Sequence, residues 1–110
     1  MDIQLKKGIL DICILKYLEK NASYGYKIIV DVSKYIEISE STLYPILKRL
    51  EESECLTTYE EEHNGRKRKY YKITDIGKTK LKNFKEEYKK LEKIAKFILG
   101  GPKKWIKKNF

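Results

Sequence analysis

Residues 55–74 read CLTTYEEEHNGRKRKYYKIT, and this stretch decides the fold. Leu56-Thr57-Thr58-Tyr59 and Lys69-Tyr70-Tyr71-Lys72-Ile73 are rich in β-branched and aromatic residues, which suit a pleated, half-buried surface. Between them stands Asn64-Gly65, a pair that fits a two-residue turn in which both central residues take positive φ. The stretch predicts two antiparallel strands joined at Asn64-Gly65.

Upstream of the hairpin the period is helical. Apolar side chains from Leu5 to Leu18 cover most of a helical circumference, so a first helix over about residues 5–20 should be largely buried. Asn21-Ala22-Ser23 breaks that pattern, and Ser23 is suited to cap a second helix from about Tyr24 to Tyr35. Ser39 is suited to cap a third, to about Glu54, whose Leu43, Ile46, Leu47 and Leu50 share one face. Pro45 removes one intrahelical hydrogen bond, which predicts an irregular or late first turn. Downstream, Thr74 caps a long helix from Asp75 to about Leu99, closed by Gly100-Gly101-Pro102. Helix, helix, helix, hairpin, helix is the order of a winged helix-turn-helix with a helical extension, mainly α with a small β-hairpin.

The last helix carries Leu81, Phe84, Tyr88, Leu91, Ala95 and Ile98 in alternating steps of three and four, a heptad seam that Ile94 and Phe97 widen. Such a stripe must be covered. The first helix of the same chain can cover part of it; a second chain, with the first helices contributing, is expected to cover the rest.

In a winged helix-turn-helix the third helix enters the major groove and its N-terminal half faces base edges. Away from the apolar face that half presents Ser41, Thr42, Tyr44, Pro45 and Lys48, with Arg49 nearby. The hydroxyls can bond bases or phosphates, and the two cations can neutralise phosphate. Arg66, Lys67, Arg68 and Lys69 follow the tight turn directly, and a wing of this kind lies along the backbone or probes the minor groove. Glu60-Glu61-Glu62 on the opposite strand would partly neutralise them. The expected organisation is a DNA-binding domain over 1–74, a dimerisation helix over 75–99 and a basic tail over 100–110.

At 110 residues and 13.1 kDa the chain suits one domain, and 41% apolar residues with only 6 Gly and 2 Pro argue against disorder. Twenty-five Lys and Arg against 16 Asp and Glu give +9 and a pI near 9.4, which favours a polyanionic partner. The excess is unevenly placed. Residues 40–70 carry six cations and seven acids, whereas residues 71–110 carry thirteen cations and four acids. The wing and third helix would therefore depend on where cations stand, and the C-terminal segment could steer a polyanion or bind a second one. The tail alternates lysine pairs with Trp105, Ile106 and Phe110, suited to phosphates, an acidic membrane or the last helix.

Catalysis finds no footing. The single histidine, His63, lies in a polar turn, and no phosphate loop, metal-ligand cluster or nucleophile elbow is present. No enzyme activity, metal or cofactor is expected. Cys13 and Cys55 are too few for a disulfide scaffold, the N-terminus lacks a signal-peptide pattern, and no apolar run approaches a bilayer span. A soluble, reduced cytoplasmic protein is expected, and a membrane is not its expected partner.

The stretch Glu40-Ser-Thr-Leu-Tyr-Pro-Ile-Leu-Lys-Arg-Leu50 resembles the recognition helix of the PadR family of bacterial transcriptional regulators. Ser23-Tyr24-Gly25-Tyr26, the run from Gly65 to Thr74, Ile76-Gly77 and the leading Leu5-Lys6-Lys7-Gly8 match in order and spacing, so the resemblance covers about residues 3–95. Ser41-Thr42 stand where the family commonly has Gly or another small residue before Leu-Tyr-Pro. The resemblance implies a homodimeric repressor on a palindromic operator of double-stranded DNA, joined through the C-terminal helix with help from the N-terminal one. Some members release DNA on binding aromatic compounds; Phe84 and Tyr88 are the aromatics placed to line such a site here, beside their role in seam packing. Two other functions compete: a winged-helix module whose third helix binds protein, and a basic membrane-surface protein working through its tail.

Overall fold

Four helices and three strands follow one another as α1 (Ile3–Leu18), β1 (Ser23–Tyr24), α2 (Gly25–Val32), α3 (Glu40–Glu52), β2 (Leu56–His63), β3 (Arg66–Ile73) and α4 (Asp75–Ile98). The structure is a computed structural model that describes the backbone of residues 3–100 and the side chains of residues 8–100. The expectations for the basic tail and Trp105 lie outside the described residues.

The hairpin forms as its composition predicts. Asn64 and Gly65 take φ of 51° and 79°, so the two-residue turn closes with both central residues left-handed, and β2 pairs β3 from Leu56↔Ile73 to His63↔Arg66. The strands run further toward the turn than the apolar pattern alone indicates. A third strand was not foreseen. Ser23 and Tyr24 pair with Tyr71 and Tyr70, so the order is β1-β3-β2 with β3 central. Ser23 is thus a buried sheet residue and not the cap of α2; Tyr24 occupies the cap position and makes no side-chain cap bond.

Apolar burial joins the elements. Leu10, Ile14, Leu15 and Leu18 of α1 pack with Ile28 and Val32 of α2, with Leu43, Ile46, Leu47 and Leu50 of α3, and with Leu56, Tyr71 and Ile73 of the sheet. Each such side chain contributes roughly 1.5–3 kcal/mol when removed from water. The α3 face is the one its spacing predicts. Pro45 does not delay this helix, which starts at Glu40 and runs through it. The missing N–H removes one bond on the solvent side, while Leu43, Ile46 and Leu47 hold the opposite face in the core.

At the start of α4, Thr74 Oγ1 accepts from the Gly77 N–H at 3.1 Å and donates to the Glu54 carbonyl, fixing the helix to the base of the hairpin. Leu81 is buried, but beyond it the seam opens: Phe84 is 36%, Leu91 56% and Ile98 72% exposed. The first helix of the same chain covers only the beginning of the stripe. Among the described residues no helix is long and apolar enough to cross a membrane.

Candidate nucleic-acid interface

With its apolar face in the core, α3 turns Ser41, Thr42, Tyr44, Pro45, Lys48 and Arg49 to solvent. Ser39 holds the N-cap position of α3 but makes no side-chain cap bond; its hydroxyl lies 3.0 Å from that of Ser41 and 3.1 Å from that of Thr42. Three hydroxyls thus gather at the exposed start of α3, each able to donate or accept. Lys48 stands one turn on, with no carboxylate within 4.0 Å among the described residues.

Two α3 residues do more than face solvent. The Tyr44 ring lies over the first residue of α2, where a Cβ added to Gly25 would come within 2.8 Å of Tyr44 Cζ. Glycine at 25 is what lets the two helices approach so closely. Tyr44 also walls a shallow cleft of about 260 Å³ with Tyr24, Tyr26, Tyr71, Arg68 and Lys69. Arg49 donates to the carboxylate of Asp11 on α1, a largely buried group that Lys80 of α4 approaches to 4.0 Å. Its guanidinium is tied into the molecule, although half of the side chain stays exposed.

In the wing, Glu60, Glu61 and Glu62 stand directly opposite Lys69, Arg68 and Lys67. Strand alternation puts Arg66 and Arg68 on one face with Tyr70, and Lys67 and Lys69 on the other with Tyr71. Lys69 is tethered: its Nζ lies 3.5 Å from Glu51 at the end of α3, and Thr58 donates to the same carboxylate at 3.1 Å. The Arg68 guanidinium sits 4.3 Å above the Tyr24 ring, a cation–π contact, and its Nε is buried without a hydrogen-bond partner. Arg66 and Lys67 stay exposed at the tip. Stacked Tyr59 and Tyr70, with ring centroids 5.4 Å apart, stiffen the hairpin behind them.

On another side of the molecule, α1, α2 and α4 enclose an apolar groove of about 480 Å³ lined by Ile12, Cys13, Tyr17, Val32, Tyr35 and Phe84. Burial pushes the Cys13 thiol up, in keeping with a small apolar side chain. Tyr17 donates its hydroxyl to Asp31 across α1 and α2, which holds the Asp31 carboxyl below its ordinary value. Phe84 borders the groove, and Tyr88 stacks on Phe84 from one turn further along α4 at 6.1 Å. Phe84 and Tyr88 thus touch one another, and only Phe84 lines the groove.

Residues 14–83 match the Transcriptional regulator PadR-like family. A PadR family transcription regulator from Clostridium difficile is 35% identical, with 81% of this chain and 96% of that one covered at a TM-score of 0.76. A PadR-like transcriptional regulator from Bacillus cereus is 31% identical, with 90% and 99% covered at a TM-score of 0.80. Bacillus subtilis PadR in complex with operator DNA is 27% identical, with 69% of this chain but 46% of that one covered, at a TM-score of 0.63.

Proposed function

The chain belongs to the PadR-like family of transcriptional regulators, and from that premise we propose that it is a repressor that binds a palindromic operator as a homodimer. The observation that carries the proposal is the joint presentation of the Ser41–Thr42 hydroxyls on α3 and the Arg66–Arg68 cations on the wing. A hydroxyl-rich helix start suits base edges, and a cationic hairpin tip suits the flanking backbone. That the related Bacillus subtilis PadR has been solved in complex with operator DNA supports a DNA-binding role. A dimer supplies two recognition helices, and matching successive major grooves requires them to stand about 34–36 Å apart. The exposed α4 seam is the surface through which the two chains would join, and Lys48 would add a phosphate contact.

A gel shift on the DNA upstream of its own gene tests this. Arg66→Ala with Arg68→Ala should weaken binding to all sequences alike and flatten its salt dependence, since phosphate contacts release counterions. Thr42→Ala should instead lower the ratio of operator to random binding. The negative balance of residues 40–70 favours a second reading, a winged-helix module that binds protein. Absence of any preference for the upstream fragment would move the assignment there.

Effector control belongs to the same proposal. The groove beside Phe84 has the size and apolar lining for a planar aromatic compound, which would weaken operator binding by favouring a different α1–α4 arrangement. Such a compound must bind that arrangement more tightly, since equal affinity for both shifts nothing. Tyr88→Ala should lessen the response while the dimer persists, read by gel shift in the presence of the compound.

A further inference from the structure

We propose that α4 carries a second surface for duplex DNA, sequence-independent and separate from the face formed by α3 and the wing. The observation is a single row of lysines. Lys78, Lys82, Lys85, Lys89, Lys93 and Lys96 follow one another at steps of four, three, four, four and three, all exposed on α4. At 3.6 residues per turn these positions fall within a strip about 80° wide, and at 1.5 Å per residue the row is about 27 Å long. Lys85 reaches Glu19 of α1 at 3.6 Å and Lys96 reaches Glu92 at 3.3 Å. Among the described residues no carboxylate lies within 4.0 Å of Lys78, Lys82, Lys89 or Lys93.

The row does not belong to the α3–wing face. Lys80, which approaches Asp11 and through it Arg49 of α3, marks the side of α4 turned toward the recognition helix. Lys78 and Lys82 each lie two residues from it, about 200° round the helix. The row also misses the apolar seam, whose centre lies roughly 130° away.

That separation selects the partner. A helix lying in a bilayer surface inserts apolar side chains beside its lysines. Here the lysine strip meets Glu86 and Glu92 at its margins before any exposed aliphatic side chain. A straight, purely ionic strip instead fits a straight polyanion, and duplex DNA offers one charge per about 1.7 Å along its axis. Six of the thirteen cations of residues 71–110 thereby acquire a role.

The test uses the full chain and a labelled 30-bp duplex of random sequence, followed by fluorescence anisotropy across a salt series. Each phosphate contact contributes about 0.9 to the magnitude of the slope of log K against log salt, so K78Q/K82Q/K89Q/K93Q should lower it by up to about 3.6. The corresponding four-fold Lys→Arg variant should retain it. Preference for the upstream fragment over random DNA should be kept or raised in the Gln variant. An unchanged slope would overturn the proposal. So would a requirement for these lysines in binding phosphatidylserine vesicles with none for the duplex. A wild-type chain that binds random duplex through the row but shows no preference for its upstream DNA would sink the operator reading alone.

Discussion

Arg49 and Lys48 are neighbours with opposite assignments. Lys48 points to solvent, whereas Arg49 is joined to Asp11, whose side chain is only 12% exposed. Removing Arg49 leaves the mostly buried Asp11 carboxylate with only Lys80 at 4.0 Å, and the half-exposed guanidinium softens the loss through solvent screening. Arg49→Ala is therefore expected to lower stability by about 1–3 kcal/mol in urea unfolding. Lys48→Ala should stay within about 0.5 kcal/mol while weakening DNA binding. An Arg49→Ala midpoint equal to the wild type would return Arg49 to the DNA face. Asp31 yields a pH signature. Its carboxyl is held below its ordinary value first by the Tyr17 hydroxyl, so the stabilisation is complete above about pH 4 and is lost as pH falls through the depressed value. Tyr17→Phe should lower stability at neutral pH and flatten the acid limb below about pH 4. Equal stability differences at pH 3 and pH 7 would argue against this pairing. Neither contact was legible in the chain. Asp11 lies 38 positions from Arg49, and an exposed-looking arginine on a helix gives no sign of a partner on another.

At the scale of elements, what local chemistry determines was legible and what a neighbour determines was not. Asn64-Gly65 dictates its own turn, Thr74 its own cap, and the apolar spacing of α3 its buried face. Strand β1 is two residues long and exists because β3 lies beside it, so Ser23 looks like a helix cap when only its own neighbours are considered. The packing of the Tyr44 ring over Gly25 likewise cannot be read from the neighbours of either residue alone. The junction of hairpin and α4 gives a sharp test of element packing. A Cβ at Gly77 would lie 2.7 Å from Ile73 Cγ1 and closer still to the Cys55 carbonyl oxygen, a backbone atom that cannot swing aside. Gly77→Ala should cost about 1–3 kcal/mol despite the better helix propensity of alanine, measurable as a lower melting temperature. Stabilisation would mean that the junction yields easily.

For the whole molecule, the open seam leads to a prediction about assembly. Leu91, Ile94, Phe97 and Ile98 are each more than half exposed along one helix. Burying several of them at roughly 1.5–3 kcal/mol apiece supports a dimer at micromolar concentration. Sedimentation should give twice 13.1 kDa. Leu91→Glu with Ile98→Glu should return the mass to that of one chain, with the winged domain still folded by circular dichroism. A wild-type chain that sediments as a single copy would remove the palindrome with it. The sheet raises the opposite question, that of unwanted association. With β3 central, β2 leaves one side of its eight-residue ladder without a neighbouring strand among the described residues, a ready template for another copy. Glu60, Glu61 and Glu62 stand along that rim, where the approach of an identical strand brings like charges together. The glutamates opposite the wing cations would thus also guard against edge-to-edge stacking of identical chains, an outcome to be read as faster aggregation of a Glu60→Gln/Glu61→Gln/Glu62→Gln variant.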